Sequence, residues 1–269
     1  MAKGLLTILG CGSAKPTKTT SPSGQLVELC DKSFLVDCGE GVLLTMQKLG
    51  IRTGRLYNIF ISHLHGDHCF GLMGLLTTLS MLKRTQPMHI YAHADLEKLL
   101  TPLLEYHCAD RLFDIVFHAI NPRKHEVIYT DRTVSVETIP LKHGVPCCGF
   151  LFNETRRVQL ENGEFDHITR KRYAYCSDTQ YTEKIVPIVE GVDLLYHEST
   201  FLNSMSARSK EVKHSTAAEA ATIAQKANVG KLLLGHYSAR VEDHNLFLEE
   251  AKPVFANTVL AEENNVIEF

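Results

Sequence analysis

No stretch of this 269-residue chain approaches the ~20 consecutive apolar residues of a membrane-spanning helix, which argues against integral insertion through helices. The beginning, Met1-Ala2-Lys3-Gly4-Leu5-Leu6, has too short an apolar stretch for a secretory leader and no credible cleavage site, so a cytoplasmic protein with no membrane contact is expected. Basic charge is not in excess. Lys and Arg number 28 against 31 Asp and Glu, a formal charge of −3, which excludes holding nucleic acid by bulk basicity and leaves only a local basic face. The eight cysteines include no CxxC pair, and a chain this long needs no disulfide staples. Most sit beside apolar residues, as in Leu35-Val36-Asp37-Cys38, and are expected to be buried free thiols in a reducing compartment. No GxSxG turn offers a serine nucleophile, and no repeat, low-complexity segment or linker interrupts the chain.

What is present is an ordinary globular composition, 44% apolar and 22% charged, with fourteen histidines that are clumped. Short apolar runs at Leu5–Leu9, Gln25–Leu29, Ser33–Asp37, Leu56–Ile61 and Met88–Ala92 read as strands. So do Phe113–Ile120, Glu126–Tyr129, Thr133–Leu141, Cys148–Asn153, Arg157–Leu160, Arg172–Cys176, Asp193–His197, Lys231–Leu234 and Thr258–Ala261. Helices are expected over Gly41–Leu49, Phe70–Lys83, Asp95–Tyr106, Glu183–Val189, Ser215–Asn228 and Leu246–Val254; Phe70–Lys83 is apolar nearly all round and reads as buried. Strands and helices thus come twice over, compatible with two sheets packed face to face and helices outside.

The strongest motif is Ser62-His63-Leu64-His65-Gly66-Asp67-His68, directly after a strand. Alternation sends His63 and His65 to one side, and Gly66 lets the chain turn so that Asp67 and His68 face the same cavity. Imidazole and carboxylate without thiolate suit Zn²⁺, Mn²⁺ or Fe in a hydrolytic site. Three more candidates stand at strand ends: His143 in Leu141-Lys142-His143-Gly144, Asp178 in Cys176-Ser177-Asp178-Thr179, and His236 in Gly235-His236-Tyr237-Ser238. Seven ligands are enough for two ions sharing one carboxylate. His197 is expected to partner a neighbouring carbonyl, and His89, His93, His107 and His244 show no pattern.

These motifs resemble the metallo-β-lactamase superfamily across essentially the whole chain and, within it, ribonuclease Z. The features that narrow it are Thr7-Ile8-Leu9-Gly10-Cys11-Gly12-Ser13-Ala14, Val36-Asp37-Cys38-Gly39-Glu40-Gly41, Phe70-Gly71-Leu72-Met73-Gly74, His197-Glu198-Ser199-Thr200-Phe201 and His214-Ser215-Thr216. The resemblance implies an α/β fold, a single-domain αββα sandwich over 1–269 with a two-zinc site at the sheet edge. It would place His63, His65 and His143 on one zinc and Asp67, His68 and His236 on the other, with Asp178 bridging. Asp67 would also be the base for the attacking water, Asp37 would hold the ligand loop, His214 would be the general acid and Glu198 would orient it. Precursor tRNA is the implied substrate, trimmed of its 3′ trailer, and a homodimer the implied assembly.

Two departures are visible. Ribonuclease Z usually carries a flexible tRNA-clamping arm with a Gly-Pro tip; here the interval 150–172 holds no Gly-Pro, so the arm is expected to be absent or reduced to a stub. The loop Pro16-Thr17-Lys18-Thr19-Thr20-Ser21 lacks the Arg often found there. Arg156, Arg157, Arg170, Lys171 and Arg172 are a candidate compensating strip for RNA phosphates. The missing arm keeps open a phosphodiesterase or arylsulfatase-like hydrolase of small substrates on the same site. A non-catalytic binding protein of this fold is disfavoured, since it would have no physical need for seven ligands.

Overall fold

A computed structural model describes residues 4–159 and 165–269. Sheet one is built from β1 (Leu5–Gly10), β2 (Gly24–Leu29), β3 (Lys32–Cys38), β4 (Leu56–Phe60), β5 (Met88–Ala92) and β6 (Ile115–Ala119). Sheet two contains β7 (Val127–Thr130), β8 (Val134–Pro140), β9 (Cys148–Gln159), β10 (Phe165–Cys176), β11 (Leu194–Glu198), β12 (Leu232–Gly235) and β13 (Thr258–Leu260). The last strand, β14 (Val266–Glu268), returns to sheet one beside β1. Each sheet is antiparallel in one half and parallel in the other, β3 to β6 in sheet one and β10 to β13 in sheet two.

Successive residues of the inner strands enter different cores. Phe34, Val36 and Phe60 face the space between the sheets, whereas Leu35 and Ile59 face outward into a second apolar layer. Burial on both faces explains why these strands read as continuous apolar runs rather than alternating ones. The outer layer of sheet one is covered by α1 (Val42–Lys48), α3 (Gly71–Met81) and α4 (Asp95–His107), with the short α2 (Gly66–Cys69) between the first two. On sheet two, α7 (Ala217–Lys226) packs on β11 and β12, and α8 (Asn245–Ala251) on β13; α5 (Val186–Val189) is a single turn beside α7, and α6 (Ser206–Val212) runs for about two turns. The result is the four-layer αββα sandwich. Phe60 anchors its centre, with its ring 4.6 Å from Tyr91 and 5.4 Å from Phe150; truncation to Ala would cost about 3–5 kcal/mol.

Three expectations change. Helix α3 is not buried all round: Leu72, Leu75, Leu76 and Leu79 pack inward, while Phe70, Met81 and Leu82 stand exposed because α3 is the outermost layer. In place of two expected segments, 148–153 and 157–160, one continuous strand runs over Cys148–Gln159, and β10 begins at Phe165, seven residues before the expected start. Beyond Glu154, where pairing to β8 ends, β9 pairs with β10 alone, so that stretch has no second sheet to impose an apolar pattern. The expected turn Glu161-Asn162-Gly163 lies outside the described residues. Finally, α7 begins at Ala217 with Thr216 as cap, in a reciprocal capping box with Glu219. Ser215 instead donates its hydroxyl to the Thr179 carbonyl at 2.6 Å.

Candidate dinuclear metal centre

Strands β1, β3, β4, β8, β10 and β12 all end on the same edge of the sandwich, where ligand sites gather in layered α/β folds. The loop after β4 bridges the two sheets there: Ile61 N–H donates to Tyr91 of sheet one, and Ser62 accepts from Cys148 N–H of sheet two at 3.1 Å. Gly39 and Gly71 pass so close behind this loop that a Cβ on Gly71 would stand 2.1 Å from the Gly39 carbonyl oxygen.

All seven ligand candidates converge here. His63 Nε2 lies 3.1 Å from His65 Nδ1, and His143 Nε2 lies 3.3 Å from the same atom. Asp178 Oδ2 stands 3.6 Å from His63 Nε2 and 3.8 Å from His143 Nε2. Its other oxygen, Oδ1, faces a second group: it is 3.3 Å from His68 Nε2 and 3.2 Å from His236 Nε2. Asp67 Oδ2 completes that group at 3.6 Å and 3.5 Å from the same two nitrogens. His68 Nε2, His236 Nε2 and Asp178 Oδ1 are fully buried with no hydrogen-bond partner. Buried polar atoms without partners are costly. Five ring nitrogens and two carboxylates converging on two foci fit a pair of divalent cations.

The far nitrogens of four of the five rings are tied down, which orients each ring so that its other nitrogen points inward. His68 Nδ1 donates to Asp37 Oδ2 at 2.7 Å, His236 Nδ1 to Thr200 Oγ1 at 2.9 Å, and His143 Nδ1 to the Lys213 carbonyl at 3.1 Å. His63 Nδ1 donates to Ser62 Oγ at 3.1 Å. Asp37, wholly buried, also accepts from Ser62 N–H and Oγ–H, each at 2.8 Å, and from the Tyr175 hydroxyl at 2.6 Å. Ala14 N–H donates to Asp67 Oδ2 at 2.7 Å.

Four residues at this edge, Ala14, Asp37, Lys213 and His236, hold left-handed backbone conformations with φ of 66°, 56°, 61° and 61°. Each costs of order 1 kcal/mol in a non-glycine residue, and such strain persists where surrounding bonds over-determine it.

Electrostatics follow from the same geometry. Burial opposes ionisation of Asp67, yet the neighbouring His236 and His68 rings outweigh it and hold its carboxyl well below the usual range. Asp178 is likewise held low against burial, by His236, His68 and His63. Burial works against a charged His68, but Asp178 and Asp37 on either side raise its pKa well above 6.5.

Beside the two foci stands a dyad. His214 Nδ1 donates to Glu198 Oε1 at 2.8 Å. Glu198 is fully buried and also accepts from Thr179 N–H at 2.9 Å, Thr200 N–H at 3.0 Å and Thr200 Oγ–H at 2.7 Å. Burial lowers the His214 pKa, but Glu198 outweighs it and the value is pushed up to about 9. A ring nitrogen of His214 also comes within 4.8 Å of ligand atoms of Asp178 and His236.

Curated relatives and solved structures agree with this architecture. The chain is 45% identical over 300 aligned positions to a ribonuclease Z of Bacteroides fragilis, covering 98% of each, and 44% identical to one of Phocaeicola vulgatus, covering 98% of the chain and 96% of the relative. The chain belongs to the ribonuclease Z family. The short form of human tRNase Z superimposes with a TM-score of 0.80 at 28% identity, covering 98% of both chains. The metallo-β-lactamase-fold protein YhfI of Bacillus subtilis does so with 0.79 at 25%, covering all of both. A family model described as Anti-Pycsar protein Apyc1 also matches residues 5–258.

Other residues of this family member take plainer places. His197 Nδ1 donates to the Glu198 carbonyl at 2.7 Å, the partner expected for it. All eight cysteines are free, seven of them buried, and Cys38, Cys148 and Cys176 have thiol pKa values raised by burial. Of the candidate basic strip, Arg156 pairs with Glu154 at 3.0 Å, and Arg172 is spent on Asn153 and the carbonyls of Ile188 and Glu190. The Arg157 side chain lies outside the described residues. Sequence reading passed over Ser62, Tyr175 and Lys213. Only Ser62 carried a signal, its place next to His63; Tyr175 looks like any core residue of an apolar strand.

Proposed function

We propose that the chain is a metal-dependent endoribonuclease that hydrolyses one phosphodiester to remove the 3′ trailer of precursor tRNA. The observation that carries this reading is the Asp178 carboxylate, whose two oxygens face two separate ligand groups, the second with three buried atoms that have no hydrogen-bond partner. Two zinc ions are the proposed cofactors, and Mn²⁺ or Fe suits the same donors. His63, His65 and His143 would hold one, Asp67, His68 and His236 the other, with Asp178 between. A divalent pair would supply Lewis acidity toward the phosphoryl oxygen and a water nucleophilic at neutral pH.

The chain's own groups then divide the proton work. Asp67, oriented by Ala14 N–H, takes a proton from the attacking water. His214, kept protonated at neutral pH by Glu198, gives its proton to the leaving oxygen. Asp37 and Thr200 keep His68 and His236 in the tautomer that faces inward.

The proposed chain is a single domain whose arm is cut back to the β9–β10 hairpin. In support, the alignment to the Bacteroides fragilis relative needs 300 positions against the 269 residues present. The proposed homodimer is supported by large apolar side chains left exposed on and beside α3 and α4: Phe70 is 76% exposed, Met81 and Leu82 67%, Leu99 61% and Tyr106 80%. A cytoplasmic location is supported by the free, buried thiols. Among the described residues no helix is long and apolar enough to cross a membrane.

A second reading, a phosphodiesterase or arylsulfatase-like hydrolase of small substrates, is favoured by the shortened hairpin. One experiment divides them: zinc-loaded protein is given a precursor tRNA and bis-p-nitrophenyl phosphate. Cleavage at the start of the trailer is expected. Hydrolysis of the ester beside an intact precursor would overturn the first reading in favour of the second.

A further inference from the structure

Two grooves lie beside the centre. One, of about 500 Å³, adjoins the His236 side and is lined by His214, Thr200, Lys15 and Arg240 among others. The other, of about 610 Å³, adjoins the loop of a different ligand, because Lys142 immediately precedes His143. Its apolar floor is Pro140, Leu141 and Ile188, and its charged lining is Arg123, Lys142 and Lys184 with no carboxylate. Among the described residues none of these three side chains makes an ion pair or hydrogen bond. The acid next in sequence to Lys184, Glu183, is already held by Lys226 and Tyr181. The groove wall is fixed to the ligand loop: Lys142 N–H donates to Thr179 Oγ1 at 3.0 Å, and its carbonyl accepts from Gln180 N–H at 2.8 Å. In a chain of net charge −3, three unneutralised cations around an acid-free groove select an anionic ligand.

We propose that this groove carries the 3′ trailer of the precursor, with Arg123, Lys142 and Lys184 taking its phosphates. The proposal rests on the endoribonuclease reading and assigns the polarity of the RNA across the centre. Water oxygen bonds to phosphorus and loses a proton to Asp67, the bond from phosphorus to the 3′ oxygen breaks, and that oxygen takes the His214 proton. The fragment with the new 3′ hydroxyl therefore lies over the groove that contains His214. The phosphate stays on the 5′ oxygen of the trailer, which leaves along the basic groove. Loss of the arm makes such a local grip matter more here, since phosphate contacts dominate affinity for RNA.

The test uses Arg123→Ala/Lys184→Ala, both exposed and away from the ligands. Zinc-loaded wild type and variant are compared on precursors with ten-nucleotide and one-nucleotide trailers and on bis-p-nitrophenyl phosphate. The variant is expected to lose about tenfold in kcat/KM on the long trailer, and less than about twofold on the short trailer and the ester. Its salt slope on the long trailer should fall by about 1 to 2. Equal losses on both trailers, or none on the long one, would overturn the proposal. A 5′-phosphorylated decauridylate is the second probe, read as inhibition of ester hydrolysis, and its inhibition constant should rise about tenfold in the variant. An unchanged constant also overturns the groove. If wild type cuts no precursor yet the decamer still depends on these residues, the endoribonuclease reading falls and the anionic groove stands.

Discussion

Glu198 Oε1 stands 2.8 Å from His214 Nδ1, and none of the Glu198 side chain reaches solvent. A buried carboxylate with four donors on it remains ionised at neutral pH because each bond favours the charged form. The imidazolium beside it is stabilised in turn, which places a proton donor at the edge of the metal centre.

The pH dependence follows in sign. His214 has a folded pKa of about 9, above the ordinary imidazole value, so its acid form is present below about pH 9 and disappears as pH rises through it. The kcat/KM for precursor RNA should carry an alkaline limb near 9. Glu198→Gln removes the charge, and the limb should move down toward the ordinary value of about 6.5. The stability this pair supplies runs the same way: complete below about pH 6.5 and lost as pH rises through 9. His214→Ala should cost about 10²–10⁴-fold on RNA and far less on bis-p-nitrophenyl phosphate, whose nitrophenolate leaves without a proton. Equal losses on the two substrates would refute the donor role.

Asp178→Ala tests the shared carboxylate. Its oxygens face both ligand groups, so its loss should empty both, whereas His65→Ala touches one. Metal content measured by mass spectrometry should drop from two ions per chain to near none in the first variant and to about one in the second. Retention of one ion by Asp178→Ala would show that the two positions fill independently.

How much of this was legible beforehand divides along physical lines. The HxHxDH cluster, Asp178 and His236 follow strands, and their residue types declare metal chemistry without reference to packing. The alternation of Leu35 and Phe34 between two cores was readable only as an apolar run, because both faces are buried. The buried network was not readable. Tyr175 lies between Ala174 and Cys176 and looks like packing until β10 is seen to aim its hydroxyl at Asp37 across the two sheets. The left-handed backbone leaves no trace at Ala14, whose side chain disfavours it, and at Asp37 the aspartate tolerates it without marking it. The long β9–β10 hairpin was hidden because its outer half pairs only with itself.

Tyr175→Phe isolates that buried bond. The hydroxyl donates to Asp37 Oδ2 at 2.6 Å, and removing it leaves a buried carboxylate one donor short. Bonds to charged groups contribute about 1.5–3 kcal/mol, so thermal unfolding of the zinc-loaded protein should shift down measurably. Metal affinity should also weaken, as Asp37 orients His68. An unchanged midpoint and unchanged affinity would show that Ser62 and His68 alone hold Asp37.

The exposed apolar side chains give a prediction about assembly. Met81→Glu/Leu99→Glu places charge among exposed side chains on α3 and α4, away from the core and the metal loop. Sedimentation should show wild type as a dimer and the variant as a monomer, with hydrolysis of bis-p-nitrophenyl phosphate retained. A wild type that sediments as a monomer at micromolar concentration would remove the dimer from the account.

Metal binding should release protons. In the metal-free protein burial works against a charged His68, but Asp178 at 3.3 Å and Asp37 at 2.7 Å raise its pKa well above 6.5 and favour the ring protonated on both nitrogens. Coordination through Nε2 requires that nitrogen to be bare. Zinc affinity should therefore rise with pH across the neutral range, and calorimetry in buffers of different ionisation enthalpy should report close to one proton released at this position. His68→Gln removes the titrating group and should abolish that proton, while the ion held by His63, His65 and His143 still binds. If the wild type releases none, His68 is neutral before the metal arrives, and Asp37 acts by orienting the ring rather than by charging it.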